Sequence, residues 1–541
     1  MGIFALLREE SSLQPARALA MSGLAGLSSA AVLADINAAA SSVQQHGPTT
    51  AYFFAFLGIV LVYVVSKRFI MLTSIRETEK IVHHIRVRIV SKVMQGDLVA
   101  LDRIGRSNIF ASAGKETQTI SQATFLLANA TESLSMLVFA VLYLAWLSIP
   151  AFVIGAAFVS FAVALHFRKM RTVNSELRTA MDQENRCLDS LTDSLAGFKE
   201  IKVNSARAAD MYRYFTDQSM LAAETKIGAQ AKMAAQFTLS QVMFYMLIAT
   251  MVFVVPVFSE SFSGTVVKVA TAVLFMIGSI TTIVSAVPVL AQANAAATNI
   301  RMIEDELDRA SRPASPNPEI VPSFREISLR NVFFQHRDLT DDPVFAVGPL
   351  NVTFRAGETV FITGGNGSGK STLIKLLVGL YRPMAGTIEI DGRPVDERML
   401  EPYRNMFAVV FSDYHLFKRL FGMMDAAQLR IDALLQLLEI NDKTHVVNGT
   451  FDTLDLSGGQ RKRVALVVAM LEDRPIIVLD EWAADQDPVF RKKFYEELLP
   501  ELKRQGKTII AITHDDQYFR LADRRLALEY GQVVADVAGA S

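Results

Sequence analysis

The 541-residue sequence contains a single cysteine, Cys187, which excludes an intrachain disulfide and a cysteine-based metal cluster. An excess of one charge is also missing, because 54 basic and 55 acidic side chains leave a formal net charge of −1. This balance argues against a protein that binds nucleic acid through a broad electrostatic surface. Charged residues make up only 20% of the chain and hydrophobic residues 51%, which indicates a membrane protein with more than one domain.

Six segments in the first half of the chain are apolar enough to cross a bilayer, which takes about 20 residues each. They lie near 15–38, 51–73, 121–146, 148–167, 237–259 and 265–291. The first apolar run has no clear small-residue cleavage site, so we expect a retained span and not a secretory signal. In the second span we expect Lys67 and Arg68 to extend towards the cytoplasmic headgroups.

The distribution of basic residues predicts which loops face the cytoplasm. The stretch 67–117 holds ten Lys or Arg and the stretch 167–235 holds eleven, whereas the short loops 39–50, 147–150 and 260–264 hold none. Cytoplasmic loops of membrane proteins carry the excess of Lys and Arg. We therefore expect a multi-pass membrane protein with both termini and both long loops in the cytoplasm.

Both long loops have the pattern of helices that extend beyond the membrane, and glycine interrupts each of them, within 101–106 and 196–202. We expect these interruptions to form short elbows that rest on the cytoplasmic domain. Glu132 lies in the middle of the third span, where a charge costs about 2.5–3.5 kcal/mol on insertion scales. Such residues often line a substrate pathway, so Glu132 is a candidate cavity residue.

A proline-rich stretch marks the domain boundary, because residues 311–318 contain three prolines and cannot continue a helix. Beyond it, short β-rich runs alternate with helices, as in an α/β domain. The predicted organisation is a six-helix transmembrane domain over 1–310, a linker over 311–325 and an α/β domain over 326–541, whose motifs indicate its function.

The strongest motif for chemistry is a glycine-rich loop between a predicted strand, 359–363, and a predicted helix. The loop consists of Gly364, Gly365, Asn366, Gly367, Ser368, Gly369, Lys370, Ser371 and Thr372. Strand, glycine loop and helix in that order are typical of a phosphate-binding loop. Its backbone N–H groups turn towards one anion, Lys370 reaches the β- and γ-phosphates, and the Ser371 hydroxyl binds Mg²⁺.

Two further buried strands end in polar residues that suit ATP hydrolysis. The run 475–479 precedes Asp480 and Glu481, and the run 508–513 precedes His514. Asp480 is placed to hold Mg²⁺, directly or through water, and Glu481 to polarise the attacking water as a general base. We expect His514 to contact the γ-phosphate and to keep the water and Glu481 aligned.

A second glycine-rich element, Leu456-Ser457-Gly458-Gly459-Gln460, resembles the signature of ATP-binding-cassette (ABC) proteins. Six spans followed by one such cassette resemble an ABC exporter half-transporter. The resemblance implies an all-α membrane domain of the type I exporter kind followed by an α/β phosphate-loop domain. It also implies a homodimer, in which the signature of one copy covers the ATP held by the other.

Three motifs are more specific within this superfamily: DEWAADQDP at 480–488, ITHDD at 512–516 and FSDYHLF at 411–417. They resemble the bacterial cyclic-peptide exporter family, which includes the pyoverdine-precursor and syringomycin-type exporters. This implies ATP-driven export of a peptide-type substrate: a cyclic or nonribosomal peptide, a lipopeptide, a siderophore precursor or a microcin. It also implies that Asp487 crosses the dimer interface. A multidrug exporter or a lipid flippase is the alternative, since either would share every ATP-binding residue.

Three features depart from the general ABC pattern. Most cassettes carry a glutamine after the central strand, whereas this chain has Ser412 followed by Asp413, and either residue could contact Mg²⁺. The aromatic residue that stacks on adenine falls at His336, with Phe334 predicted to lie in the core. Only forty-four positions separate Ser412 from Leu456, so we expect a shortened helical subdomain.

Two other functional classes need different features. A maturation protease fused to an exporter would need an N-terminal nucleophilic cysteine, but Cys187 lies between the fourth and fifth predicted spans. An ATP-gated channel would share the ATP-binding residues, and transport against a gradient separates an exporter from it.

Overall fold

The computed structural model describes residues 5, 6, 9, 15–44, 47–258, 265–310, 323–337 and 342–539. The chain divides into two compact units. The first comprises Met1–Val90 and Ser107–Ile303, and the second comprises Ser91–Arg106 and Glu304–Ser541. Most of the predicted linker over 311–325 lies outside the described residues.

The described residues up to 310 are almost entirely helical. The helices are α1 Pro15–Gln44, α2 Thr50–Gln95, α3 Leu98–Ile104, α4 Arg106–Ala111, α5 Thr117–Leu147, α6 Ile149–Ala196, α7 Phe198–Val203, α8 Ser205–Ala249, α9 Val255–Phe258 and α10 Val266–Ala310. Helices α2, α6, α8 and α10 each exceed 40 residues, about twice the length that a bilayer requires. They therefore extend well beyond the membrane, as the mixed composition of the long loops predicts.

Among the residues that the structure describes, five helical stretches are long and apolar enough to cross a membrane. They are Ala20–Val43, Thr50–Gln95, Arg106–Leu147, Ser205–Val254 and Val266–Arg309. A shorter apolar stretch, Ile149–Phe161, lies where the fourth span is predicted, and α6 continues from it without a break to Ala196. The structure thus contains an N-terminal helical membrane domain, and the sixth span stays a prediction.

Small residues allow close helix contacts in the first unit. Helix α1 packs against α5, and a Cβ built on Gly26 would lie only 2.5 Å from the backbone nitrogen of Met136. Small residues are common where membrane helices approach so closely. Helix α6 begins directly after α5 because the Ser148 side chain accepts a hydrogen bond from Ala151 N, which caps the new helix.

The described residues of the second unit form three β-sheets flanked by helices. The strands are β1 Glu326–Arg337, β2 Pro343–Arg355, β3 Thr359–Gly364, β4 Ala385–Ile390, β5 Arg393–Pro394, β6 Phe407–Val410, β7 Val446–Val447, β8 Thr450–Phe451, β9 Ile476–Asp480, β10 Thr508–Ile512, β11 Arg524–Glu529 and β12 Gln532–Ala538. The helices are α11 Lys370–Leu377, α12 Leu400–Arg404, α13 Gln428–Leu437, α14 Gly458–Leu471, α15 Pro488–Lys493 and α16 Leu499–Arg504.

The central six-stranded sheet has the order β12-β11-β3-β10-β9-β6, with parallel pairing from β11 to β6. Alternate residues of its buried strands enter two different cores. Phe361, Ile477 and Leu479 pack on one side of the sheet, whereas Ile362 and Val478 pack on the other. Both faces are covered, which explains why these strands read as continuous apolar runs in the sequence.

Both predicted elbows are short helices. Gly105 (φ 81°) ends α3, where the left-handed backbone favours glycine, and Gly197 precedes α7. Within the second unit, Leu98 of α3 packs against the core that contains Phe334, and Ile104 is buried. Between 412 and 456 the structure has a single helix, α13, and a helical subdomain shorter than in other cassettes stays a prediction.

One expectation for the second span is wrong. Lys67 does not extend towards the headgroups, because its ammonium forms an ion pair with Glu132 of α5 and donates to Asn129 Oδ1 at 3.1 Å. Tyr63 OH also donates to Glu132, at 3.4 Å. Glu132 is only 8% exposed, so an unpaired charge there would be costly and the lysine neutralises it.

This ion pair makes a testable prediction for the stability of the membrane domain. K67M should lower the Tm of the purified protein, because removing one partner of a buried pair costs about 3–5 kcal/mol. The double variant K67M/E132Q should recover much of the loss, since no charge is then left unpaired. As a control, K226M removes a half-exposed ion pair to Glu184 and should change Tm little. Equal Tm values for K67M and K67M/E132Q would contradict a buried, mutually dependent pair.

Candidate functional site

Three parallel strands of the central sheet end at one edge and bring the predicted site residues together. Ile512 of β10 lies beside Ile362 of β3 on one side and Asp480 of β9 on the other. The loops that follow the three strands therefore begin side by side at one edge of the sheet. The glycine-rich loop, the Asp480–Glu481 pair and His514 follow these three strands, which is where open α/β sheets bind ligands.

Tight packing explains two glycines of the phosphate loop. Gly364 and Gly369 have φ values of 148° and 98°, in the region that favours glycine. A Cβ on Gly364 would lie 2.2 Å from the carbonyl oxygen of Leu528, and one on Gly369 would lie 2.9 Å from Val347 Cγ2. A larger residue at either position would push the loop away from the strands below it.

The phosphate loop lines a cavity of about 570 Å³. The lining residues are Phe345, Asn366, Gly367, Ser368, Gly369, Lys370, Ser371, Thr372, Ser412 and Glu481. Lys370 is buried and donates to the carbonyl oxygens of Gly364 (3.0 Å) and Gly365 (2.9 Å). The ammonium and the N-terminus of α11 at one cavity both favour an anion, so the cavity suits a polyphosphate.

Asp480 provides an oxygen that fits a divalent cation. The residue is 2% exposed, its Oδ2 accepts a hydrogen bond from Ser412 Oγ at 3.1 Å, and its Oδ1 has no hydrogen-bond partner among the described residues. Burial raises the pKa of this carboxyl above its ordinary value, although the hydrogen bonds from Ser412 and Ser371 oppose the shift. Mg²⁺ binds carboxylate oxygens together with substrate phosphates, so Asp480 and Ser371 fit this ion.

Glu481 and His514 contact each other at the mouth of the cavity. His514 Nε2 lies 3.3 Å from Glu481 Oε1, and both side chains are partly exposed. The Glu481 backbone has a left-handed conformation (φ 50°), held by a bond from its N–H to Ile512 O (3.2 Å) and by Lys462 Nζ on its carbonyl (2.8 Å). Strained positions of this kind cluster at functional sites.

Several residues that support this pair were not identified from sequence patterns. Tyr495 OH lies 2.6 Å from Thr513 Oγ1 and donates to Asp515 Oδ2 at 3.0 Å, which fixes the residues on both sides of His514. Trp482 is buried and donates to Lys462 O at 2.7 Å, which ties the carboxylate loop to α14. The tryptophan within the DEWAADQDP motif was the available signal, whereas Tyr495 lies in a helical run with no motif.

The signature residues begin helix α14. Ser457 caps the helix by accepting from Gln460 N, and Gln460 Oε1 accepts from Ser457 N at 3.0 Å, a reciprocal capping box. A Cβ on Gly459 would lie 2.7 Å from Asp485 O, so this glycine is required within the protomer. Gly458 is different, since a Cβ there would meet none of the described residues within 4 Å. No contact with the described residues of its own chain therefore explains why position 458 is a glycine.

Asp487 has partners within its own chain. Its carboxylate caps α15 by accepting from Val489 N (3.1 Å) and Phe490 N (2.9 Å), and it pairs with Arg463 Nη2 at 2.7 Å. Its predicted position at a dimer interface stays a prediction.

The structure shows which of the candidate residues at 412, 413 and 336 line the phosphate-loop cavity. Ser412 lines the phosphate-loop cavity and bonds Asp480, whereas Asp413 is exposed and does not line the cavity. His336 does not line the cavity either. Its Nε2 lies 3.1 Å from Thr372 Oγ1, and its ring borders a neighbouring groove with Gln335 and Tyr381. Phe334 lies in the core, as expected.

Comparison with known proteins shows relatives along nearly the whole chain. The ATP-binding protein SyrD of Pseudomonas syringae pv. syringae is 33% identical over 539 residues, which cover 94% of this chain and 92% of that protein. A protein of the same organism described as "Probable syringafactin export ATP-binding/permease protein SyfD" is 33% identical over 35% of this chain and 31% of its own. An ATP-dependent lipid A-core flippase of Burkholderia orbicola is 28% identical over 68% of this chain and 63% of its own.

A family model and a solved structure agree with these relatives. The family model described as ABC transporter matches residues 347–484. The structure of a bacterial Atm1-family ABC exporter with ATP bound superposes with a TM-score of 0.79, covering 99% of this chain and 96% of that chain at 20% identity. This likeness confirms the predicted fold class, a helical membrane domain of the type I exporter kind followed by an α/β ATP-binding domain.

The burial of Asp480 predicts that one substitution has opposite effects on stability and on activity. With a raised pKa, Asp480 stabilises the ligand-free fold while protonated, and this contribution is lost as pH rises through that pKa. At neutral pH, D480N should therefore raise the Tm of cation-free protein, by about 2–4 °C for each kcal/mol that burying the ionised carboxylate costs. The same variant should lose Mg²⁺-dependent ATPase activity. Thermal unfolding with chelator or MgATP measures both effects.

The matched control for this experiment is D413N. Because Asp413 lies outside the cavity, this variant should keep the wild-type Tm and the wild-type Mg²⁺ dependence. A lower Tm for cation-free D480N would contradict the cost of burying this carboxylate. Loss of Mg²⁺ dependence in D413N, or its retention in D480N, would show that the cation is held elsewhere.

Proposed function

Because this chain belongs to the ABC transporter family and couples ATP hydrolysis to transport across a membrane, we propose that it exports a peptide-type substrate from the cytoplasm. The three motifs that resemble those of cyclic-peptide exporters carry this proposal, and the similarity to the protein named for syringafactin export supports it. Nonribosomal peptides, siderophore precursors and microcins belong to the same broad class. The similarity to lipid A-core flippases favours a lipid as the alternative cargo.

We further propose that two copies form the working transporter. One chain carries one phosphate loop and one signature, and Gly458 is exposed at the N-terminus of α14, where no described residue would lie within 4 Å of its Cβ. A second copy can place the γ-phosphate of its ATP against this glycine and Ser457, with Gly459 and Gln460 shaping the same helix end. ATP then acts as a ligand that favours the closed pair of ATP-binding domains.

The residues at the sheet edge have distinct roles in the proposed cycle. Lys370 leaves the carbonyls of Gly364 and Gly365 to bind the β- and γ-phosphates. Glu481 accepts the proton of the attacking water, and His514 orients Glu481. Mg²⁺, bound by Ser371 and Asp480 with Ser412 in support, would neutralise charge on the phosphates. Hydrolysis removes the γ-phosphate and allows the two domains to separate.

The membrane arrangement follows the same proposal. Both termini, both helical extensions and the ATP-binding domain lie on the cytoplasmic side of the bacterial inner membrane, where ATP is present. We propose that the Lys67–Glu132 pair belongs to the pathway for the polar part of the substrate, because charged groups inside spans generally face a bundle interior or a cavity. The observation behind this is the 26% exposure of the Lys67 side chain beside a nearly buried Glu132.

Transport into vesicles tests the cargo class. Full-length protein in liposomes, with the ATP-binding domain outside, should accumulate an acylated cyclic peptide in the lumen against a gradient when MgATP is added. A linear peptide without an acyl chain and a fluorescent lipid A analogue serve as comparison cargoes. Movement of the lipid analogue alone would support the flippase alternative, and dissipation of an imposed gradient would support a channel.

The catalytic and dimeric assignments can be tested together. E481Q should bind ATP with near wild-type affinity, lose turnover and accumulate a closed dimer, because the general base is missing while the binding contacts remain. In the E481Q background, G458D should prevent the ATP-dependent dimer without unfolding the protomer, since no part of the described chain lies within 4 Å of a Cβ at 458. Size-exclusion chromatography with light scattering measures the dimer. Wild-type turnover in E481Q would contradict the role of Glu481, and an unaffected dimer in E481Q/G458D would contradict the shared site.

A further inference from the structure

Arg491 of α15 holds the loop that follows Glu481. Its Nε donates to the carbonyl oxygen of Ala483 at 3.2 Å. Its Nη2 donates to the carbonyl oxygens of Ala484 and Gln486, each at 3.0 Å. A guanidinium suits this arrangement because its five N–H groups lie in one plane and can reach several acceptors at once. One side chain therefore fixes the backbone of this loop at three carbonyl groups.

The same guanidinium reaches the loop that carries His514. Its Nη1 lies 3.4 Å from Oδ1 of Asp515, the residue after His514. The other oxygen of this carboxylate accepts from Tyr495 OH at 3.0 Å. Burial raises the pKa of the Tyr495 phenol, so the hydroxyl stays protonated and can donate at neutral pH. Tyr495 lies four positions after Arg491 in a continuous helical segment, so one helix face holds both oxygens of Asp515.

The contact between Glu481 and His514 depends on how these two loops lie relative to each other. Both side chains are partly exposed at the mouth of the cavity, so their backbones must be held by the loops themselves. Arg491 contacts one loop through carbonyl groups and the other through a carboxylate. A displacement of about 1 Å at a reacting group can cost about 100-fold in rate. The bridge therefore bears on hydrolysis, although Arg491 does not line the phosphate-loop cavity.

We propose that Arg491 is a positioning residue for ATP hydrolysis, which acts by holding His514 opposite Glu481. This inference rests on the proposed roles of Glu481 as general base and of His514 as the residue that orients it. Because Arg491 lies outside the cavity, its loss leaves ATP affinity intact and lowers the rate of the chemical step. Lysine does not replace it, since an ammonium is a compact point charge that cannot span the carbonyl groups and the carboxylate together.

The test measures whether Arg491 acts through His514. ATPase activity of the purified full-length protein is measured for R491M and R491K, and for R491M in the H514A background. R491M should lower kcat about 10- to 100-fold and leave KM for ATP within about twofold of wild type. R491K should lose nearly as much activity. In the H514A background R491M should cause less than about a twofold further loss, because the residue that it positions is already gone.

Single-turnover hydrolysis of radiolabelled ATP resolves the slow rates of the H514A background, and Tm reports folding of each variant. D515N removes the charge at the other end of the bridge and keeps the carbonyl contacts of Arg491. It should lower kcat in the same way but by less, and it carries the test if R491M does not fold. As a control, R504Q removes an exposed ion pair with Glu501 on α16 and should keep the wild-type kcat and KM.

Four results would overturn the proposal. They are wild-type kcat in both R491M and D515N, wild-type kcat in R491K, a loss from R491M that is as large in the H514A background as in the wild type, and a rise in KM that matches the fall in kcat. H514A alone tests the underlying assignment. If H514A hydrolyses ATP at the wild-type rate, the proposed role of His514 fails and this inference fails with it.

Discussion

Backbone pairing among β3, β10 and β9 is the constraint on which the ATP-binding unit depends. Ile362, Ile512 and Asp480 are paired side by side, so the loops that follow these strands begin at the same edge of the sheet. These loops carry the phosphate-binding glycines, His514 and Glu481. A shift of one residue in one parallel strand would also turn its alternating side chains from one core to the other. The two cores therefore fix the register, and the register fixes the site.

Polar groups of the protomer divide into those satisfied by their own chain and those left open. Lys370 bonds loop carbonyls, and Asp487 caps a helix and pairs with Arg463. Asp480 Oδ1 is buried without a partner among the described residues, and Gly458 faces free space. Buried polar atoms without partners are unfavourable, so a cation at Asp480 relieves a cost that the ligand-free fold carries. The open positions coincide with the places where Mg²⁺ and a second copy are proposed to bind.

Charged groups in the membrane unit also need partners, because the lipid around the spans is less polar than water. Lys67 and Glu132 are separately unfavourable inside a span, and together they form a neutral pair that joins α2 to α5. Each residue considered alone suggested a different role, an extended lysine and an isolated glutamate. Their pairing across 65 positions depends on helix packing, which no local pattern contains.

The sequence alone determined the local chemistry, because a glycine loop between strand and helix, a carboxylate pair after an apolar run and a signature element depend on short-range spacing. Long apolar runs and basic loops likewise predicted the membrane domain. Only the tertiary structure decided which of Ser412 and Asp413 enters the cavity, and that Phe345 lines it where His336 does not. These outcomes depend on side-chain direction at a strand end and across a hairpin. Contacts with distant residues such as Thr372 and Asp480 set the direction of these side chains. The neighbouring positions in the sequence therefore do not predict it.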